Sequence, residues 1–295
     1  ALILVDSVGG LEVGTETALD LADQFNIPRI VVINKMDREN ASYQKAFDSV
    51  QNGIDGRLIP MQLPLGEKAD FEGVIDLVNM KAYKGDGKTA VEIPAEYQDQ
   101  AEEARMLLVE AAAEGEDSLL EKYFENGDLS GDEILQGLHK AIDESNIIPV
   151  LVAAGGRMIG IAPLIEALLA LAPSPKERPA VTAKSPKGEV ELNFNDAGPL
   201  AAYVWKTTAD PFVGRQTFFR VYSGTMNSDT RVWNANKGEE ERLASVQVPF
   251  GKDMHSVPVI HSGDIGAVAK LTVTTTGGTL TTKEQNLTLP VPDYP

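Results

Sequence analysis

The sequence predicts an α/β unit built on a parallel sheet, carrying an α+β insertion and followed by an antiparallel β-barrel. Three observations carry this. Two continuous apolar runs, Ile30-Val31-Val32-Ile33 and Ile147 to Ala153, each end in polar or glycine turn residues, as strands buried on both faces do. Between them lie acidic stretches whose apolar residues recur at helical spacing. After Pro173-Ser174-Pro175 the chain breaks into short β-rich runs separated by glycine turns, the pattern of a closed antiparallel barrel.

In order along the chain, Ala1-Leu2-Ile3-Leu4-Val5-Asp6 reads as a buried strand and Gly9-Gly10 as the turn after it. Val13, Thr17, Leu21 and Phe25 recur at helical spacing, so residues 12–26 read as an amphipathic helix, and Pro28 follows its end. The strand over 29–34 comes next. Strand, helix and strand then form a parallel pair joined by a right-handed crossover. Tyr43, Ala46, Phe47 and Val50 mark a second helix.

From Arg57 the pattern changes. An insertion over 57–146 holds short strands at Leu58 to Pro64, Phe71 to Val78 and Lys81 to Lys84, then acidic helices over 95–115, 117–126 and 131–145. Ile134, Leu138 and Ile142 give the last helix its apolar face. The strand Ile147 to Ala153 and a helix over 161–172 complete a first domain over 1–175. Two prolines stop that helix, and residues 176–190 read as a linker.

The barrel is placed at 191–290, with strands Leu200 to Lys206, Arg215 to Ser223, Arg231 to Asn234, Arg242 to Val248 and Ile265 to Leu271. Turns fall at Asn236-Lys237-Gly238 and Ser262-Gly263-Asp264. Thr272 to Thr276 is expected to end a strand or form an exposed loop. Pro290-Val291-Pro292-Asp293 opens a further linker over 291–295. A core strand with no lead-in opens the sequence, so the chain is expected to be a fragment of something longer.

Composition narrows the function classes. No apolar run reaches the roughly 18 residues of a membrane span, and nothing at the start resembles a signal peptide. The absence of Cys excludes disulfides, Cys-ligated zinc and thiol catalysis. With 3 scattered His, a metal site built from side chains is not expected. The net charge of −18 is unevenly placed: residues 1–175 hold 13 basic and 31 acidic side chains, residues 176–295 hold 13 of each. Phosphate contacts need cations, so the first part is a poor nucleic-acid surface, while the neutral second part is permissive. Within the insertion, residues 66–146 carry 7 basic and 21 acidic side chains. This reads either as a solvated surface or as a docking face for a protein partner.

The strand at Ile30 to Ile33 ends in Asn34-Lys35-Met36-Asp37. In an open parallel sheet, ligands sit at the carboxyl ends of the strands. Guanine presents two adjacent N–H donors, at its ring N1 and exocyclic N2, and one carboxylate accepts both. Adenine lacks that pair and would leave the carboxylate unmatched. Asp37 is the candidate acceptor. The Lys35 stem would lie along the flat base, the Asn34 amide would bridge base and neighbouring backbone, and Met36 would point inward.

This Asn-Lys-x-Asp arrangement resembles the guanine-specificity motif of GTPases. Together with the mixed insertion and Pro149-Val150-Leu151-Val152-Ala153-Ala154-Gly155, it looks like the latter half of a translational GTPase domain. The phrases Thr208 to Arg215, Phe219 to Thr225 and Ser262 to Val268 are similar to the second domain of bacterial elongation factor G. The resemblance covers the whole chain in order. It implies an incomplete P-loop GTPase-type sheet followed by a translation-factor β-barrel, from a cytoplasmic, ribosome-dependent GTP hydrolase that drives translocation of transfer and messenger RNA.

The expected cofactors are GTP or GDP, with Mg²⁺ held elsewhere in the parent protein. The expected partner is the ribosome: its stalk protein through the acidic insertion, and small-subunit RNA through the barrel, with Arg215 and Lys252 as candidate phosphate contacts. DNA and membranes are not expected partners.

Three departures stand out. No Gly-x-x-x-x-Gly-Lys-Ser/Thr occurs, so this chain alone is expected not to hydrolyse GTP. Ala154-Gly155 stands where the family has Ser-Ala, whose backbone N–H meets guanine O6. Gly277-Gly278-Thr279-Leu280 replaces Gly-Asp-Thr-Leu. These point to a divergent elongation factor G-like paralogue. The alternatives are a ribosome-protection protein, a non-catalytic ribosome-docking module, or an unrelated α/β enzyme joined to a barrel.

Overall fold

The computed structural model describes residues 1–54, 56–144, 146–210 and 214–292. The chain divides into two units, Ala1–Pro173 and Ser174–Pro295. Pro211, Phe212 and Val213 of the first barrel phrase, and Asp293 of the last linker, lie outside the described residues.

In the first unit, strands β1 (Leu2–Asp6) and β2 (Ile30–Asn34) flank helix α1 (Val13–Gln24) in sequence. Helix α2 (Tyr43–Gln51) and strand β3 (Arg57–Pro60) follow. The insertion, expected from Arg57, starts after Pro60, because β3 pairs in parallel with Ile147 to Val150 in the main sheet; it supplies β4 (Gln62–Leu65), β5 (Gly73–Asp76), β6 (Lys81–Lys84) and β7 (Ala90–Val91). Its helices are α3 (Ala95–Ala113), α4 (Asp117–Asn126) and α5 (Gly131–Asp143). Strand β8 (Ile147–Val152) and helix α6 (Ile161–Leu171) close the unit.

The main sheet has the order β1-β2-β8-β3, and every pair in it is parallel. The insertion makes its own antiparallel sheet, β4-β5-β6-β7. β2 and β8 are apolar throughout because helices cover both faces of a central parallel strand; Ile30 to Ile33 and all of β8 are buried. α5 seats Ile134, Leu138 and Ile142 fully in the same core.

Two expectations are corrected here. β1 is an edge strand whose side chains alternate: Ile3 and Val5 are buried, while Leu2 and Leu4 are exposed. An apolar run reads as buried on both faces only when both faces are covered. α1 does not bury the stripe Val13, Thr17, Leu21 and Phe25; its buried residues are Leu19 and Ala22, and Val13 is 77 % exposed. A four-residue repeat drifts around a helix of 3.6 residues per turn, so the stripe winds away from the contact that Leu19 and Ala22, three apart, make.

The second unit begins with a hairpin, β9 (Val181–Ser185) and β10 (Gly188–Leu192). It lies in the stretch expected to be a linker. Ala183 and Leu192 pack with Ala201, Tyr203, Leu287 and Leu289 in a small core of their own, so this segment is structure.

The remaining strands are β11 (Ala201–Asp210), β12 (Gly214–Ser223), β13 (Met226–Asn227), β14 (Arg231–Asn234) and β15 (Glu239–Arg242). Then come β16 (Val246–Phe250), β17 (Asp253–Val257), β18 (Val259–Ile260), β19 (Ile265–Ala269) and β20 (Thr279–Thr281). Eight of them form one antiparallel sheet, β15-β14-β20-β11-β12-β19-β16-β17, and β13 pairs with β18. Val232, Leu280, Ala202, Phe219, Val268 and Val246, from strands across this sheet, share one core, which requires the sheet to curl around it. The single strand expected over Arg242 to Val248 is two, β15 and β16, because they pair with different neighbours.

Thr217 on β12 is fully buried and its hydroxyl has no partner among the described residues. An unmatched buried hydroxyl costs on the order of 1 kcal/mol. Thr217→Val, which keeps the shape and the branched Cβ, is therefore expected to raise the thermal midpoint of this unit; a lower midpoint would contradict the assignment.

Among the described residues, no helix is long and apolar enough to cross a membrane.

Candidate functional site

Since β1, β2 and β8 are parallel, their carboxyl ends share one edge of the sheet. The register sets Asp6 beside Asn34 and Ile33 beside Val152. The segments that leave β2 and β8 therefore emerge side by side. Asn34 Oδ1 accepts the Gly155 N–H at 3.0 Å, across 121 residues of sequence. The Met36 N–H points to the Ala153 carbonyl at 3.4 Å. Asn34 and Met36 thus meet the segment that carries Ala153, Ala154 and Gly155.

Each side chain has a distinct setting. Met36 and Ala154 are fully buried in the core. Asp37 is half-buried, and its carboxylate makes no hydrogen bond or ion pair among the described residues. Lys35 has φ of +63°, a left-handed conformation that costs a residue with a Cβ about 1 kcal/mol or more. Ser7 holds it there: its hydroxyl donates to the Lys35 carbonyl at 2.9 Å and its N–H to the Asn34 carbonyl at 3.0 Å. The Lys35 ammonium lies 2.6 Å from Asp6 Oδ2, and Asp6 Oδ1 accepts the Val8 N–H at 2.9 Å. The Lys35 ammonium first, and the Val8 amide second, hold the Asp6 carboxyl below its ordinary value.

The insertion grips the same site from behind. The Lys68 N–H donates to the Met36 carbonyl at 2.9 Å. Buried Gln62 accepts the Val152 N–H at 3.1 Å. The Glu67 carboxylate accepts the Tyr43 N–H, at the start of α2, at 2.7 Å.

One sequence expectation changes. The Gly155 N–H, assigned by resemblance to guanine O6, is donated to Asn34 Oδ1. Asn34 can reach it because the parallel register of β2 and β8 brings the two loops together.

Sequence reasoning missed Asp6, Ser7, Gln62 and Lys68. The signal for Asp6 was available: it is the polar residue ending an apolar strand, as Asn34 is. Nothing local marks the others: the Ser7 hydroxyl and the Gln62 side-chain oxygen bond backbone groups 28 and 90 residues away, and Lys68 acts through its N–H.

In the second unit, Arg215 and Lys252 sit in different settings. Arg215 Nη1 donates to the Thr272 and Thr274 carbonyls at 3.1 and 3.3 Å, so part of its guanidinium is spent on the protein. Lys252 is exposed at the turn between β16 and β17. Among the described residues, no group of three or more acidic, His or Cys side chains is placed to hold a metal ion.

Parallel strand ends bearing Asn-Lys-x-Asp and a glycine loop, joined to an antiparallel barrel, define a nucleotide-binding α/β protein with an attached β domain. Comparison with known families agrees. The pattern described as elongation factor Tu GTP binding domain matches residues 1–174, and that described as elongation factor G domain 2 matches residues 199–283. A crystal structure of a protein from Thermus thermophilus is similar at 31% identity and a TM-score of 0.80, over 96% of this chain and 40% of that one. The chain belongs to the elongation factor Tu GTP binding domain family and is of the elongation factor G type. It spans 40% of the length of the Thermus protein.

Proposed function

We propose that this chain is the base-reading part of a ribosome-dependent GTPase, with Asp37 as the acceptor that selects guanine. The observation carrying this reading is the bond between Asn34 and Gly155, which joins two distant segments at one sheet edge beside an unpaired Asp37 carboxylate. The donor set fits the base: Asp37 offers two acceptor oxygens, and Lys35 offers an aliphatic stem.

The longer protein would hydrolyse GTP with Mg²⁺ and drive translocation in the cytoplasm. Phosphate and Mg²⁺ ligands would come from outside these residues, since no phosphate-binding Gly-x-x-x-x-Gly-Lys-Ser/Thr occurs in them. The acidic insertion would dock the ribosomal stalk protein, and the barrel would face small-subunit RNA. Lys252, exposed at a turn, suits a phosphate contact better than Arg215, which is partly tied to its own loop.

With the base contacts alone, GDP affinity is expected in the roughly millimolar range, about 4 kcal/mol of binding. Amide spectra titrated with GDP should shift Asn34 and Gly155, and ADP at the same concentration should not shift them. Equal response to ADP would overturn guanine selection, and micromolar GDP affinity would contradict the view that the phosphates bind elsewhere.

A further inference from the structure

We propose that Asp6 is a positioning residue for base recognition: it takes the Lys35 ammonium and so leaves the Asp37 carboxylate free for the purine edge. The proposal rests on the guanine reading above.

Two carboxylates at the strand ends, Asp6 and Asp37, could claim the Lys35 ammonium. Asp37 is the nearest carboxylate to Lys35 in the sequence, two residues on. Yet the ammonium is 2.6 Å from Asp6, 29 residues away, and Asp37 has no partner among the described residues. Asp6 is well placed to win. It ends β1 in register with Asn34, its carboxylate is anchored by the Val8 N–H, and its side chain is only 25% exposed against 47% for Lys35.

The partner of Lys35 is thus fixed by the sheet and not by the recognition loop. Ser7, the next residue, fixes the Lys35 backbone by the hydroxyl bond to its carbonyl. Backbone and ammonium are held by consecutive residues of one strand end. An ammonium paired with Asp37 would have to be removed before a carboxylate could accept two N–H donors from a base. Asp6 removes that competition in advance, which is preorganisation of the site.

Asp6→Asn keeps the side-chain shape and the acceptor for Val8 but removes the charge. In the 295-residue chain, with GDP as the probe and the Gly155 amide as the reporter, this variant is expected to bind about threefold more weakly, the scale of a partly exposed ion pair. The Asp37 carboxyl ¹³C resonance should move in Asp6→Asn and stay near its original position in Asp6→Glu. The same substitution made in a Lys35→Met background should have no further effect on GDP affinity, because the residue it acts through is gone.

Equal losses in both backgrounds, or an unmoved Asp37 resonance, would overturn the role assigned to Asp6 while leaving guanine binding intact. Absence of any GDP response in the unaltered chain would instead overturn the guanine reading, and this inference with it.

Discussion

Replacing Glu241 by alanine is expected to destabilise the second unit by about 3 kcal/mol, since it strips the partner from the two buried donors of Thr274 and from part-buried donors of Thr272 and Val273. Glu241 lies on β15 in the run Glu239-Glu240-Glu241-Arg242 and is only 6% exposed. One of its oxygens accepts the Thr272 and Val273 N–H groups at 2.6 and 2.8 Å and the Thr272 hydroxyl at 3.3 Å. The other accepts the Thr274 N–H at 3.0 Å and the Thr274 hydroxyl. Thr272 to Thr276, expected to be a strand end or exposed loop, is therefore wrapped around a carboxylate. Asn234 Nδ2 donates to Thr274 Oγ1 from a further side, and Arg215 caps the loop's carbonyls.

Both tryptophans, Trp205 and Trp233, belong to this unit, so denaturant unfolding followed by tryptophan fluorescence reports it. An unchanged midpoint for Glu241→Ala would refute the anchoring role.

The same carboxylate predicts an acid dependence. Burial raises the Glu241 pKa, but the bonds from Thr274, Val273 and Thr272 outweigh it, and the group sits below its ordinary value. A depressed folded-state value means the stabilisation is fully present above the unfolded-state pKa of about 4.3. It is lost as pH falls through the lower, folded-state value. Glu241→Gln should flatten the fall in stability between neutral and acid pH, compared with the unaltered chain.

Asp37→Asn is expected to change the preferred base. Xanthine carries a carbonyl where guanine carries its exocyclic amine. An Asn amide can donate to that carbonyl while its oxygen accepts the ring N1–H, whereas guanine would meet an N–H with an N–H. Unmatched polar groups of this kind discriminate by two or more orders of magnitude in a site that hydrogen-bonds its ligand. The ratio of xanthosine to guanosine diphosphate affinity should therefore rise about a hundredfold. Titration of both nucleotides against both proteins measures it; an unaltered ratio would remove Asp37 from the base-reading role. In the folded chain the Asp37 carboxylate is unpaired among the described residues, so both of its oxygens are available to the base.

What could be read in advance followed from how local each signal is. β2 and β8 were legible because a strand covered on both faces is apolar throughout. α5 was legible because Ile134, Leu138 and Ile142 track one face over a short span. α1 was located correctly, but its buried side was not, because Val13, Leu21 and Phe25 are as apolar as Leu19 and more numerous. The hairpin of β9 and β10 was hidden by Pro175 and Pro179, although Val181, Ala183, Val190 and Leu192 alternate with polar residues as a half-buried strand should. Glu241 could not be found, since an acidic run reads as solvent-facing and its partners lie 31 to 33 residues away.

By itself the sequence determined the helices, the strands β2 and β8, the change from α/β to all-β, and the residues at the end of β2. These follow from side-chain polarity and period, which each short segment carries within itself. Only the tertiary structure decided that Asp6 holds Lys35, that Asn34 takes the Gly155 amide, and that Glu241 closes a distant loop. Such pairings arise when parallel strand ends or curled sheet edges come within about 3 Å, the reach of a hydrogen bond, and no local pattern of residues encodes which distant partner that will be.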